Sequence, residues 1–211
     1  MNIAVIGAGG KAGSKIVKEA LSRGHEVTAI VRDASKAAGT KASVVEKDIF
    51  ALTAEDLQRY DAVVNAFAAP FGQEHQHVDA GNVLIQALQN APDTRLIVVG
   101  GAGSLYVDEA HSMKVVDTPG FPDFVKPTAL NQGKNLEILQ GTQGLRWTFV
   151  SPSANFAVGE RRGAYVKGKD QLLVNSKGES YVSYADYAIA IVDELEHPQH
   201  IGERFTVVSE S

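Results

Sequence analysis

Residues 7–13 read Gly-Ala-Gly-Gly-Lys-Ala-Gly, and their setting restricts the fold more than any other feature of the chain. Before them, Asn2–Ile6 is a short apolar run ending in glycine, the pattern of a buried strand. After them, residues 11–23 place Ile16, Val17, Ala20 and Leu21 on one helical face, and Gly24 supplies a stop. Glu26–Val31 is a second apolar run. Strand, glycine turn, helix and strand within about 30 residues is the size of one βαβ unit. Such a unit requires parallel strands with the helix crossing over one face of the sheet.

The alternation continues. Strands are expected at 43–46, 62–66, 95–99 and 146–150, with helices at 53–59, 75–91 and 130–140. Thr53 is placed to cap its helix, with Asp56 three residues on. Short strands at 171–174 and 179–182, a helix at 183–196 and a strand at 204–208 complete the chain. The Val- and Ile-rich strands argue for a parallel sheet covered on both sides. The expectation is one α/β domain over residues 1–211. It is a single doubly wound Rossmann-type parallel sheet with helices on both faces and a small C-terminal extension on the substrate side. Ligands of such sheets bind beyond the carboxyl ends of the strands, where strand order reverses. That directs attention to 7–13, 31–33, 48–50, 66–72, 100–104 and 151–156.

Composition removes several classes of chemistry. The 211 residues contain no cysteine, which excludes a thiol nucleophile, disulfides and thiolate metal sites. The net charge of −5 offers no basic field to nucleic acid or an anionic membrane. No apolar run is long enough to span a bilayer, and a cytoplasmic protein is expected. Glycine is in excess at 20 residues, four of them before residue 14 and three between 100 and 103.

The first glycine cluster fits a dinucleotide turn in two registers. One is G-x-G-x-x-A through Gly7, Gly9 and Ala12; the other is G-x-x-G-x-x-G through Gly7, Gly10 and Gly13. In either, one residue makes a tight turn, one lets backbone approach a pyrophosphate, and one lets helix and strand pack closely. Lys11 opens the helix, whose N-terminus presents free N–H groups to the phosphates. At the end of the second strand Arg32 stands where an NAD site usually has an acid. A guanidinium there suits a 2′-phosphate, which favours NADP(H), with NAD(H) the lesser alternative. Asp33 reads as the cap of the next helix.

The segments 96–105, 146–152, 159–163, 183–188 and 202–207 carry a resemblance over essentially the whole chain. It resembles the atypical short-chain dehydrogenase/reductase superfamily. More narrowly it is similar to the small bacterial NADH–flavin reductases, the biliverdin-IXβ reductases and the NmrA-like proteins. That resemblance implies further cofactor contacts. Asp48 and Ile49 would lie by the adenine, and Ala66, Phe67 and Ala68 would pass the ribose and pyrophosphate. Pro152, Ser153, Ala154 and Asn155 would approach the nicotinamide. The superfamily typically uses a serine with a Tyr-x-x-x-Lys pair. Ser104 is the candidate catalytic serine. In the helix where the pair belongs, counting back from Glu137 reaches Gly133 and Ala129, so both positions are lost.

Without that pair, an acceptor that delocalises charge fits better than an ordinary ketone, which needs a positioned proton donor. The expectation is an NADPH-dependent reductase of flavin or quinone-like acceptors, with flavin as substrate. The alternative is a non-catalytic NADP(H) sensor of the NmrA-like type. A small-molecule acceptor is the expected partner, with no nucleic acid, no membrane and a homodimer as the candidate assembly. His75 and His77, two apart, are expected at the surface, and no metal is implied. The 104–128 loop, with Phe121 and Phe124, is expected to lid the site. The segment 155–169, with Arg161, Arg162, Tyr165 and Lys167, is expected to form a basic wall for an anionic acceptor such as FMN.

Overall fold

A computed structural model describes residues 1–89 and 91–210. The parallel strands are β1 (Asn2–Ile6), β2 (Glu26–Val31), β3 (Ser43–Glu46), β4 (Ala62–Asn65), β5 (Arg95–Val99) and β6 (Trp147–Ser151). The helices between them are α1 (Lys11–Ser22), α2 (Ala54–Leu57), α3 (Gln76–Leu88) and α4 (Lys126–Gly141). The last part holds β7 (Asn155–Ala157), β8 (Tyr165–Gly168), β9 (Tyr181–Ser183), α5 (Tyr184–Glu196) and β10 (Glu203–Ser209). Eight strands form one sheet in the order β3-β2-β1-β4-β5-β6-β10-β8. All its pairs are parallel except β10 with β8.

The central strands carry apolar residues on both faces because both faces are buried. On β1, Ile3 and Val5 enter one core with α1 and α5. Ala4 and Ile6 enter the other with α2, α3 and α4. A strand buried twice shows a continuous apolar run rather than an alternation.

The C-terminal part differs from expectation. Residues 171–174 form no strand; a lone bridge joins Gln171 to Tyr106. The strand lies at 165–168 instead, where Tyr165, Val166, Lys167 and Gly168 pair with β10 along the sheet edge. A mixed polar edge strand carries little hydrophobic signal. β7 and β9 form a separate two-stranded sheet. α4 also begins earlier than expected, at Lys126, with Pro127 in its first turn. The expected helix 75–91 spans Asn90, which lies outside the described residues.

Candidate functional site

The strand order reverses at β1, which pairs with β2 on one side and β4 on the other. A groove opens there, past the carboxyl ends of the strands. Gly7 makes the turn, with φ +74°, and a Cβ on it would lie 2.4 Å from the Ala66 carbonyl oxygen. A Cβ on Gly13 would lie 2.2 Å from the Gly7 carbonyl oxygen. Gly10 is the exposed N-cap of α1, and no side chain caps that helix. The tight turn therefore falls on Gly7 and close packing on Gly13, while Gly9 and Gly10 both lie exposed along the groove. Gly9 also packs on Lys36, whose Cβ would lie 2.6 Å from an added Cβ.

At one end, a cavity of about 400 Å³ is lined by Gly7, Gly9, Gly10, Arg32, Asp33, Lys36, Lys47, Ile49 and Ala66–Ala68. Arg32 is exposed, at the tip of β2. Asp33 caps the turn Ala34–Ala37, its carboxylate accepting from the Ser35 N–H at 2.9 Å. The groove continues past Gly10 and Ala66–Ala68 into a cleft of about 790 Å³. Lys11, Ala12, Val99–Gly103, Pro152, Ser153 and Ala154 line it. An uncapped helix end beside close-packed glycines is a cradle suited to a dinucleotide's phosphates.

Four sequence candidates do not line the groove. Gly13 works from behind by packing. Asp48 caps the turn Ile49–Ala51, accepting from the Phe50 N–H at 2.9 Å. Asn155 is exposed on β7 while its neighbour Phe156 lines the cleft. Ser104 is buried away from it, its hydroxyl accepting from Arg204 Nη1 at 2.9 Å. Arg204 also donates from Nε to Asp170 at 2.8 Å, so Ser104 belongs to a structural network. Ser153 contributes backbone to the cleft, because its hydroxyl donates to the Val207 carbonyl at 2.8 Å.

The cleft also holds residues that were not among the expected cofactor contacts. Thr128, Ala129 and Gln132 of α4 line it, as do Val115, Val125 and Tyr184. His77 lines it too, correcting the surface placement. It is 8% exposed, edge-on to Phe67 with ring centroids 6.0 Å apart. Burial disfavours its charged form and lowers its pKa, while Glu74 opposes this. His75, by contrast, is exposed. Only the apolar, sheet-facing stripe of α3 could have signalled this difference: His77 lies one turn before buried Gly81 and two before buried Leu84.

The positions of the missing pair have a packing role. Ala129 Cβ would lie 2.7 Å from a Cβ on Gly103, and Gly133 faces Ser104 Cβ at 3.6 Å. Small residues there let α4 lie close to the loop after β5. The Tyr-x-x-x-Lys spacing does occur once, at Tyr165 and Lys169, outside that helix. Tyr165 is on edge strand β8, its hydroxyl donating to Asp193 at 2.5 Å. Burial and that carboxylate raise its pKa, so it stays protonated.

The basic wall is also corrected. Arg161 donates to Glu19 at 2.8 and 2.9 Å, and Lys167 to Gln199 at 2.5 Å. Neither lines the cleft, nor does Arg162. The expected lid is partly tied down: Leu105, Val115 and Val116 are buried, and Phe121 lines the cleft. Phe124 is 69% exposed.

A family model for NAD(P)H-binding proteins matches residues 7–198. The chain belongs to the NAD(P)H-binding family. Uncharacterized protein YwnB of Bacillus subtilis is 61% identical over the full length of both chains. A crystal structure of a candidate NADH-flavin reductase from Streptococcus pneumoniae is 45% identical, with a TM-score of 0.94 over 99% of each chain. A candidate epimerase from Bacteroides thetaiotaomicron is 35% identical, with a TM-score of 0.90 over 100% of this chain and 97% of that one. Two of the resemblance segments, 159–163 and 183–188, hold each other in place. Ser183 caps α5, and Asp186 accepts from the Arg162 and Gly163 N–H groups at 2.8 and 2.9 Å.

Proposed function

We propose that this protein is an NADPH-dependent reductase of planar conjugated acceptors, flavin or quinone-like in kind. The observation that carries this is a continuous groove joining the Arg32 end, the glycine turn and a mainly apolar cleft that lacks a Tyr–Lys pair. A bound nicotinamide cofactor supplies the hydride. Arg32 would pair with the 2′-phosphate, and the α1 N-terminus would hold the pyrophosphate against Gly10. Pro152–Ala154 and Gly100–Gly103 would orient the ring face, excluding water from the contact. The acceptor takes the hydride and one proton from solvent, and its conjugation spreads the charge, so no fixed acid is required. The 45% identity to the Streptococcus pneumoniae protein supports the flavin reading. The test is NADPH oxidation followed with riboflavin, FMN and quinones. Tight NADP(H) binding with no turnover on any acceptor overturns the reductase and favours the sensor reading, which the same missing pair also supports.

A further inference from the structure

The two ends of the groove differ in charge. Lys36 joins Arg32 and Asp33 at one end, where Lys47 is paired with Asp56. Among the described residues lining the larger cleft, Lys11 is the sole formal cation, and it stands at the glycine turn. Beyond the turn the wall is mainly apolar, with Val115, Phe121, Val125 and Phe156, and its polar side chains Thr128, Gln132 and Tyr184 carry no charge. Burial holds His77 neutral near pH 7, leaving it a polar contact without charge. Lys126 begins α4 beside Val125 but does not line the cleft. Arg161 and Lys167 are held by Glu19 and Gln199.

An anionic group carried into such a cleft loses water and meets no cation beyond the turn, only uncharged polar groups, whereas an uncharged aromatic ring gains contact area. We propose that the acceptor taken by this cleft is an uncharged planar ring, such as a quinone or an unphosphorylated isoalloxazine, and that a flavin phosphate is disfavoured. The proposal rests on reading the groove as the nicotinamide site. It replaces the basic wall expected from residues 155–169.

The test measures binding and turnover separately. Quenching of riboflavin and FMN fluorescence by the NADP⁺ complex gives affinity without reaction. NADPH oxidation with menadione, riboflavin and FMN gives kcat/KM. The expected result is riboflavin bound and reduced at least about tenfold better than FMN, with menadione also reduced. Val125→Lys, which adds a cation at the wall, should narrow that ratio mainly through the KM for FMN. FMN binding as tightly as riboflavin overturns the proposal and leaves the reductase reading intact. Riboflavin preference without turnover keeps the proposal and removes the reductase reading. Binding of neither flavin, with no menadione reduction, removes both.

Discussion

A methyl group on Gly13 would sit 2.2 Å from the Gly7 carbonyl oxygen, closer than any relaxed contact. Gly13→Ala should therefore cost about 1–3 kcal/mol in urea unfolding and weaken NADPH binding, because α1 must back away from the turn. An unchanged dissociation constant would show that the turn does not hold phosphate. Arg32 is a different case, since it is exposed and has no structural partner among the described residues. Arg32→Ala should weaken NADPH about tenfold or more and leave NADH nearly unchanged, with stability unaltered. Equal losses for both cofactors would refute a 2′-phosphate contact. The glycine turn and Arg32 were legible in sequence because backbone conformation and charge are local properties. His77 was not, because which side of a helix is buried depends on the element packed against it.

α5 is fixed at both ends by polar groups. At its start Ser183 caps the helix, and Asp186 holds the 160–163 segment through Arg162 and Gly163. At its end Glu194, 1% exposed, binds Arg95 and accepts from His200 Nδ1 at 2.7 Å. Burial would raise the Glu194 pKa, but the hydrogen bonds from His200 and Arg95 outweigh it and hold the carboxyl below its usual 4.5. Glu194→Ala leaves Arg95 buried and unpaired and should cost about 3–5 kcal/mol. This network lies at the opposite end of the strands from the groove, so cofactor affinity should not change; equilibrium unfolding and a cofactor titration separate the two effects. Regular elements were legible where the apolar pattern was strong, as in the continuous runs of β1 and β5 and the one-sided stripe of α1. The 165–168 edge strand was misplaced to 171–174 because its register is set by β10, some 40 residues away in sequence.

Across the molecule, acid should lower stability over two pH ranges. Below neutral pH, burial keeps the folded pKa of His77 under its usual 6.5. The unfolded chain then binds more protons, so stability falls as pH drops through 6.5 toward the folded value. His77→Phe should flatten this part of the profile. Deeper in acid, Glu19, Asp56 and Glu194 have folded values below those of the unfolded chain. Their contribution is present above the usual carboxylate range and is lost as pH falls through the lowered values. Melting temperatures from pH 7.5 to pH 3 for the wild type and His77→Phe check both ranges; parallel profiles above pH 5 would rule out the histidine contribution. The amino-acid sequence by itself determined the parallel α/β sheet, the glycine turn, the cationic Arg32 end and the loss of the Tyr–Lys positions. Each follows from periodicity, backbone freedom or residue identity within a short window. Tertiary structure alone decided which glycines are packed against backbone, that Ser104 serves Arg204, that Arg161 and Lys167 are held away from the cleft, and that His77 enters it. Those outcomes depend on partners distant in sequence, whose geometry exists only after the chain has packed.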